Sequence, residues 1–407
     1  MLSVAEARDG ILASVRPLAV ERVPLLNALG RVLATSVTAP LTIPPWDNSA
    51  MDGYAVKASD IESVSAERPV TLAVLETVAA GAFPSRRVEA GSATRIMTGA
   101  PLPEGADTVV RVEDTDGGLE RVTVRSARDA KKNLRYRGED IRAGSVALEA
   151  GTPIGPAQIG VLSSVGAATV DVHRAPRVAF LSSGDELVDL DRFAEAMDGT
   201  RIVSSNSYTL HAGIRAAGGE PVNLGIARDD PVDLRDRLMR SAGCDLLVTS
   251  AGVSVGEFDF VREVLEALGA EMRFWKVRMR PGAPLGFGVL SGIPWIGLPG
   301  NPVSTLVTFE LFVRPAMRRM LGHTRLFRRQ VTVTLEERVT IGARLTHFLR
   351  AVVTAHDDGR QTARLTGPQG SGILTSMSTA NALLIVPEDR PAIEAGEPAQ
   401  ALMLTED

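Results

Sequence analysis

Cysteine and aromatic residues are scarce in this sequence of 407 residues. The single cysteine, Cys244, cannot form a disulfide within the chain, and its place just before an apolar run indicates a small core residue. Phenylalanine, tryptophan and tyrosine make up 4% of the chain, too few for a surface on which nucleic-acid bases stack. The five histidines are scattered, without the spacing that a metal site requires.

Long apolar runs and a strong net charge are missing as well. No stretch of about eighteen apolar residues occurs, so no membrane span is expected. Residues 1–20 carry Glu6, Arg8 and Asp9, which predicts an amphipathic helix instead of a signal peptide. A net charge of −5 is too small to drive binding to nucleic acid or to a membrane. We therefore expect a soluble, cytoplasmic protein that binds neither.

Nucleotide-binding signatures are absent too. The composition is that of an ordinary globular protein. Hydrophobic residues make up 44% and charged residues 23%, and the length suggests two to four domains. Neither a P-loop nor a G-x-G-x-x-G fingerprint is found, so ATP hydrolysis and dinucleotide binding are poorly supported.

The pattern of apolar residues changes along the chain. Residues 3–34 are predicted to be helical, and Ser3 with Glu6 fits a capping box. Residues 70–146 contain short strands separated by turn formers, and a mixed segment with a helix at 156–165 follows. From Arg177 strands and helices alternate, which predicts a doubly wound, mostly parallel sheet. From residue 331 to the end the chain is predicted to be β again.

The predicted elements after Arg177 are regularly spaced. The predicted strands are 178–181, 222–226, 246–249, 275–277, 286–290 and 295–298, the last two forming a hairpin through Ser291 and Gly292. The predicted helices are 208–217, 233–241, 261–268 and 304–321.

The segment 249–259 is the most informative loop, because it lies between a predicted buried strand and a helix. Small residues let backbone N–H groups approach an anion, and the helix N-terminus adds partial positive charge. Asp259 closes the loop, either as a carboxylate that binds a bridging cation or as the N-cap of the helix. The sequence leaves both interpretations open.

Polar groups follow five successive predicted strands, where ligands bind in open α/β sheets. Acids and bases of this kind suit phosphoryl or nucleotidyl chemistry, with carboxylates holding Mg²⁺ and cations neutralising an anionic substrate. Taken singly, each also fits a turn, an N-cap or a solvated surface charge. The groups are Glu186; Asp229 and Asp230; the loop from Ser250 to Asp259; Lys276 and Arg280; and residues 299–302.

Two further motifs, residues 44–55 and 135–141, combine turn formers with charges. Each fits either a loop that crosses between domains or part of a site.

Seven motifs, in order along residues 3–400, resemble the signatures of the MoeA family, the molybdopterin molybdenumtransferases, which also occur as the E domain of gephyrin. The motifs are PWDNSAMDGYA at 45–55, RIMTGAP at 95–101, GEDI at 138–141, SSGDEL at 182–187, RDDP at 228–231, VSVG at 253–256 and LPGNPVS at 298–304.

The resemblance implies a multidomain α/β plus β fold. Its doubly wound α/β domain (177–326) would be similar to the molybdopterin-adenylyltransferase fold. An elongated mixed domain (1–44 and 141–176), a small β domain (45–140) and a C-terminal β-barrel-like domain (327–407) would accompany it.

The resemblance also implies an activity, the insertion of molybdenum from molybdate into adenylylated molybdopterin with release of AMP, in molybdenum cofactor biosynthesis. Mg²⁺ would assist, a molybdopterin adenylyltransferase would supply the substrate, and two subunits of a homodimer would share the active site.

Roles for individual residues follow from the same resemblance. The catalytic residues would be Asp52, Asp140, Glu186, Asp229, Asp259, Lys276 and Arg280. Mg²⁺ would be held by Glu186, Asp229, Asp230 and Asp259. The substrate would be bound by Thr98, Ser250, Gly252, Ser254, Gly256, Pro299, Gly300, Asn301, Pro302, Arg350 and Ser371.

Three positions depart from the family's commonest pattern. RPGAP at 280–284 stands where KPGKP is typical, so Ala283 removes a cation. SAG at 250–252 replaces a double glycine, and Ala251 would be strained if the backbone there needs a positive φ. Trp46 replaces a frequent Phe, a mild change.

Three alternatives stay open. A paralogue could use tungstate, since Ala283 alters the oxyanion site. A dimeric scaffold could bind a partner without turnover, although the carboxylates favour an enzyme. A nucleotide-transfer enzyme could be built on the α/β domain alone, but the additional β regions argue against it.

Overall fold

A computed structural model describes residues 1–251 and 260–405. The predicted site residues Gly252, Ser254, Gly256 and Asp259 lie outside the described residues. The chain forms two compact units, the larger from residues 1–35, 151–155 and 169 onward, and the smaller from residues 36–150 and 156–168.

The larger unit begins with helix α1 (Val4–Ala13), whose capping box is confirmed. Ser3 N–H donates to Glu6 Oε2 at 2.7 Å, and Glu6 N–H donates to Ser3 Oγ at 3.2 Å. The predicted helix over the rest of 3–34 is wrong, because strand β1 (Val20–Pro24) and a 3₁₀ turn (Leu25–Ala28) follow. Pro17 and Pro24 lack the N–H that a helix needs, and β1 pairs antiparallel with residues 169–173.

The smaller unit is built around a five-stranded sheet in the order β7-β4-β6-β5-β8. A Cβ on Gly53 would lie 1.9 Å from Val110 O on the neighbouring strand, so this position requires glycine. Its elements are β2 (Val37–Thr38), β3 (Asn48–Ser49), β4 (Gly53–Val56), β5 (Val70–Val78), β6 (Ser92–Ile96), β7 (Thr108–Arg111), β8 (Arg121–Val124), β9 (Leu134–Arg135), β10 (Val146–Leu148), helix α2 (Pro156–Ser164) and 3₁₀ turns at Ala58–Asp60 and Val112–Asp114.

The larger unit then contains alternating strands and helices. These are β11 (Thr169–His173), β12 (Arg177–Ser183), β13 (Leu187–Val188), a 3₁₀ turn (Leu190–Arg192), α3 (Phe193–Met197), β14 (Ile202–Val203), α4 (Ser205–Ala216), β15 (Glu220–Ala227), α5 (Pro231–Met239), β16 (Leu246–Ser250), α6 (Phe260–Ala267), β17 (Glu271–Lys276), β18 (Met279–Arg280), β19 (Pro284–Leu290) and β20 (Ile293–Leu298). The main sheet has the order β15-β12-β16-β20-β19-β17.

The predicted doubly wound, mostly parallel sheet is confirmed. Strands β15, β12, β16 and β20 are parallel neighbours, and β19 runs antiparallel to β20 and β17. Side chains alternate between the two faces of the sheet, as in Phe180 and Leu181. Phe180 shares one core with α1, α4 and α7, whereas Leu181 shares the other with α5 and α6.

The predicted hairpin between β19 and β20 is also confirmed, with Leu290 opposite Ile293. Its two turn residues, Ser291 and Gly292, have φ of 50° and 84°. Two successive positive φ values are typical of the type I′ turn that matches the twist of the strands.

A long helical segment follows β20. Helix α7 (Pro302–Thr308) continues through π-helical turns (Phe309–Val313) into α8 (Arg314–Met320), which agrees with the helix predicted at 304–321. Pro315 has no N–H to donate, and the wider turns immediately precede it. Within the described part of the chain, no helix combines the length and apolarity needed to cross a bilayer.

The C-terminal segment forms a closed five-stranded barrel, in which β23, β24, β21, β27 and β25 pair in turn and β25 pairs back with β23. Ala351 and Ala401 are among the residues of its core. The elements are β21 (Gln330–Leu335), β22 (Val339–Thr340), β23 (Thr346–Ala355), β24 (Gln361–Leu365), α9 (Thr375–Thr379), β25 (Ala382–Val386), β26 (Ala392–Ile393) and β27 (Pro398–Met403).

Replacement of Ile11 by alanine tests how far α1 supports the α/β core. Ile11 is fully buried in the core shared with α4 and α7, so Ile11→Ala should lower the free energy of unfolding by about 2–5 kcal/mol. Leu26→Ala is the matched control, because Leu26 is 79% exposed. Urea unfolding followed by circular dichroism measures both, and equal effects would contradict a structural role for α1.

Candidate active site

The parallel strands of the main sheet end together at one edge. Ser183 at the end of β12 is level with Ala227 of β15, and Ser250 of β16 is level with Leu298 of β20. The loops that follow these strands therefore meet at the same edge, as expected for a ligand site in this fold. This edge brings together Glu186, Asp229, Ser250 and the 299–302 loop from the predicted site.

Of the cavities that open at this edge, two share three lining residues, Ser183, Glu186 and Ala251. The larger cavity, of about 460 Å³, is further lined by Leu187, Ile202, Val203, Ser204, Ser205, Asn206, Ser250, Pro284, Pro299, Gly300, Asn301, Pro302 and Ser304. The smaller cavity, of about 170 Å³, is further lined by Gly184, Arg228, Asp229, Leu234, Phe260 and Val261.

Asp229 faces the smaller cavity beside two other carboxylates. Asp229 N–H donates to Asp185 Oδ1 at 3.2 Å, and Asp185 N–H donates to Asp229 Oδ2 at 3.3 Å. Burial raises the pKa of Asp229, and the negative charges of Asp185 and Glu186 add to this despite the backbone hydrogen bond. Three carboxylates thus lie near one another at this cavity, which Arg228 also lines.

Asp230 has a different role from its neighbour. Its Oδ2 accepts a hydrogen bond from Asp233 N–H at 3.0 Å and caps helix α5. Of the two adjacent aspartates, Asp229 therefore lies nearer to Glu186 in the cavity, while Asp230 stabilises a helix. Among residues 1–251 and 260–405, no group of three or more metal-ligating side chains is assembled, so the predicted four-carboxylate Mg²⁺ site is not formed by the described residues.

Asn206 is a buried residue of the larger cavity that sequence reasoning missed. Its Nδ2 donates to Ser250 Oγ at 2.8 Å and to Gly300 O at 2.7 Å, so one amide joins three elements of the site. Its Oδ1 has no partner among the described residues. The helix predicted at 208–217 leaves Asn206 outside it, whereas α4 begins at Ser205. The signal was the polar run 204–207 between a strand and a helix.

The 299–302 loop is held from both sides. Thr305 Oγ1 donates to Pro299 O at 2.6 Å, and Val303 N–H donates to Ser371 O at 3.0 Å. Ser371 therefore touches the start of α7 through its backbone, which places this predicted substrate-binding residue beside the loop.

Arg350 supports this arrangement from inside the barrel, with no exposed surface. Its Nε donates to Ser376 Oγ at 2.9 Å and its Nη2 to Gly370 O at 2.9 Å, while burial lowers its pKa. These bonds fix the segment that carries Ser371, while Nη1 of Arg350 is buried and has no partner among the described residues. A substrate-binding role for Arg350 stays a prediction.

The predicted basic pair lies apart from the two cavities. Lys276 ends β17, two strands beyond β20, or about 10 Å at the usual spacing between strands. Arg280 lies on β18, which leaves the main sheet and pairs with His347 of the barrel. Both side chains are exposed, and neither lines the larger or the smaller cavity.

In the smaller unit, the predicted site residues Asp52 and Thr98 are hydrogen-bonded to each other. Asp52 Oδ1 accepts from Thr98 N–H at 2.7 Å and from Thr98 Oγ1 at 2.8 Å, and these bonds lower the pKa of Asp52. Strands β3 and β9 bring the motifs 44–55 and 135–141 together, and Arg137 N–H donates to Asp47 Oδ1 at 2.7 Å. Asp140 is exposed.

A doubly wound α/β domain with cavities at its strand ends, joined to a β-barrel, defines a multidomain ligand-binding α/β protein. Three family models cover almost the whole chain: the MoeA N-terminal region (domain I and II) at residues 2–166, the probable molybdopterin binding domain at 179–319 and the MoeA C-terminal region (domain IV) at 332–404. The chain therefore belongs to the MoeA family.

Curated and structural relatives agree with this assignment. Molybdopterin molybdenumtransferase 2 of Mycobacterium tuberculosis is 38% identical over 100% of both chains. Molybdopterin molybdenumtransferase of a Nostoc species is 37% identical over 94% of this chain and 88% of its own. The crystal structure of the molybdopterin biosynthesis moeA protein from Pyrococcus horikoshii has a TM-score of 0.85 and 28% identity over 99% of this chain and 100% of that one.

Removal of the Asn206 amide tests its bridging role. Asn206→Ala leaves Ser250 Oγ and Gly300 O without their donor, which should lower the free energy of unfolding by about 1–3 kcal/mol and speed amide hydrogen exchange at 300–303. Asn27→Ala is the control, because Asn27 is exposed. Unchanged exchange in the loop would show that the amide does not hold it.

The pKa of Asp229 provides a separate test of the carboxylate cluster. Carbon-13 NMR titration should find a pKa above that of an ordinary aspartate, and Glu186→Gln should lower it by removing a negative charge. Glu195→Gln is the control, because Glu195 pairs with Arg192 instead. The description of this cavity would be contradicted by an Asp229 pKa below the ordinary value. It would also be contradicted by an Asp229 pKa that Glu186→Gln leaves unchanged.

Proposed function

We propose that this protein is a molybdopterin molybdenumtransferase, an enzyme that inserts molybdenum from molybdate into adenylylated molybdopterin and releases AMP. The observation that carries the proposal is the 38% identity, over the whole of both chains, to a relative with that name. The cavities at the strand ends support it, since Glu186, Asp229, Ser250 and the 299–302 loop meet there.

The chemistry of the cavities suits a phosphate-containing substrate together with a divalent cation. Glu186 and Asp229 are the described residues that would hold Mg²⁺, whose preferred ligands are carboxylate and phosphate oxygens. The proximity of Asp185, Glu186 and Asp229 supports this assignment, because neighbouring carboxylates attract a cation. When bound, Mg²⁺ would offset the charge that develops on the departing AMP.

The larger cavity supplies hydrogen-bonding groups without charged donors. Serine hydroxyls, Asn206 and Asn301 line it, and the 299–302 loop forms one side. In this proposal the loop orients the pterin part of the substrate. Asn206 holds the loop next to Ser250 through its two hydrogen bonds. Lys276 and Arg280 remain the residues that we propose for the incoming molybdate, a dianion that needs cationic partners.

The site is proposed to be completed by the smaller unit of a second subunit in a homodimer. Asp52 is exposed, and its carboxylate is held in one orientation by Thr98, as suits a residue that contacts a ligand. Asp140 would contact the same ligand as Asp52. A molybdopterin adenylyltransferase would act immediately upstream.

A single-turnover assay tests the function directly. Pure protein with adenylylated molybdopterin and Mg²⁺ should release AMP only when molybdate is added, and Glu186→Gln should slow this by at least about 100-fold because it removes a cation ligand. Glu195→Gln should retain the wild-type rate.

Other outcomes would change the assignment. Release of AMP with tungstate but not molybdate would indicate a tungsten-specific paralogue. Tight binding of the pterin without AMP release with either oxyanion would contradict the transferase and favour a binding scaffold.

A further inference from the structure

A third cavity opens at the same edge of the sheet, beyond the ends of β12 and β15. Its volume is about 720 Å³, and it shares Gly184, Arg228 and Asp229 with the smaller cavity. The smaller cavity also shares three lining residues with the larger one, whereas the larger and third cavities have Leu187 alone in common. The smaller cavity therefore connects the other two, and the three form one cleft along the strand ends.

The volumes of the three cavities differ in a way that limits what each can hold. Pockets that enclose a whole organic ligand usually measure about 300–1,000 Å³. The larger cavity, at about 460 Å³, and the third, at about 720 Å³, fall within this range. The smaller cavity, at about 170 Å³, falls below it and suits a link of phosphate groups. The cleft thus matches a ligand made of two bulky halves and a narrow link.

Backbone with a positive φ marks both boundaries of the smaller cavity. Ala251, at the boundary with the larger cavity, has a φ of 75°, so the strain expected from the sequence is present. Gly184, at the boundary with the third cavity, has a φ of 145°, and a Cβ there would lie 2.6 Å from Glu186 Oε2. The Glu186 carboxylate therefore stands close to this boundary. Unusual backbone conformations of this kind are concentrated at functional sites.

Arg228 places a cation at the boundary between the smaller and third cavities. It directly follows β15, is exposed and lines both cavities. Its backbone N–H donates to Asp233 Oδ2 at 2.9 Å, whereas its guanidinium has no hydrogen bond or ion pair within the described part of the chain. The other arginines of the third cavity are already hydrogen-bonded, Arg192 to Glu195, Arg201 to Asp185 O and Arg237 to Asp233. Because arginine binds phosphate through paired N–H groups, Arg228 is the residue available for that link.

The third cavity has a lining that suits a nucleoside. Leu187, Val188 and Ile226 supply apolar surface, which the faces of a base can contact. Asp191 also lines the cavity, and its exposed carboxylate accepts no hydrogen bond from the described residues. A carboxylate is a common acceptor for ribose hydroxyls. The third cavity therefore fits the uncharged part of a nucleotide better than its phosphate.

We propose that the third cavity binds the adenosine half of the substrate and that Arg228 binds the phosphates joining it to the pterin half. This inference rests on the proposed function, in which the 299–302 loop orients the pterin in the larger cavity. The phosphates then lie in the smaller cavity, beside Glu186 and Asp229, where Mg²⁺ would be held.

Two substitutions, each with a matched control, test the two parts of this assignment. Asp191→Trp fills the third cavity. Asp198→Trp is its control, because Asp198 is an exposed aspartate of the same segment between β13 and β14 and lines none of the three cavities. Arg228→Gln removes the cation. Arg215→Gln is its control, because Arg215 is exposed on α4 and also lines none of them.

Calorimetric titration with Mg²⁺ and without molybdate measures binding in the absence of turnover. The ligands are adenylylated molybdopterin and molybdopterin alone. Asp191→Trp should weaken binding of the adenylylated ligand by at least about tenfold and change that of molybdopterin by less than about twofold. Arg228→Gln should weaken both by about 10- to 100-fold, because molybdopterin keeps one phosphate of the link. Both controls should match the wild type.

Three results would overturn the inference while leaving the proposed function intact, provided that the wild type turns over its substrate. In the first, Asp191→Trp binds the adenylylated ligand as tightly as Asp198→Trp does. In the second, Asp191→Trp weakens molybdopterin alone, which would place the pterin half in the third cavity. In the third, Arg228→Gln binds both ligands as Arg215→Gln does. A wild type that neither binds nor turns over adenylylated molybdopterin would overturn both proposals.

Discussion

The site depends on the parallel register of four neighbouring strands. Because β15, β12, β16 and β20 end at the same level, loops that are far apart in sequence converge at one edge. Parallel strands are buried on both faces, so a slip in their pairing would expose apolar side chains such as Phe180 and Leu181. The two hydrophobic cores on either side of the sheet thereby fix the positions of Glu186 and Asp229 as well.

Much of this fold can be predicted from apolar runs, because a strand buried on both faces is nearly continuous in hydrophobic residues. The ends of β12 and β16 follow directly, and with them the placement of Glu186 and Ser250. The helices predicted after Arg177 are found within a few residues of their expected bounds. The helix predicted over residues 14–34 is wrong, since β1 is stabilised by pairing with β11, a partner about 150 residues away that local patterns do not reveal.

The site residues that escaped prediction act through long-range contacts. Asn206 is unremarkable in sequence, and its importance appears only when Ser250 and Gly300 are found within reach of one amide. The bonds from Arg350 to Ser376 and to the backbone of Gly370 likewise join positions that are 20 or more residues apart in sequence. Asp229 and Asp230 are chemically identical neighbours that both line a cavity, and only the start of α5 identifies Asp230 as the helix cap.

Strand β18 has a consequence for how the chain is divided. It belongs by sequence to the α/β segment, between β17 and β19, yet it pairs with Thr346 and His347 at the start of β23. A fragment beginning near residue 327 would lack this strand. The backbone groups of β23 that pair with β18 would then be exposed and could pair with other chains. A boundary placed between the α/β segment and the barrel would therefore separate two strands that pair in the intact chain.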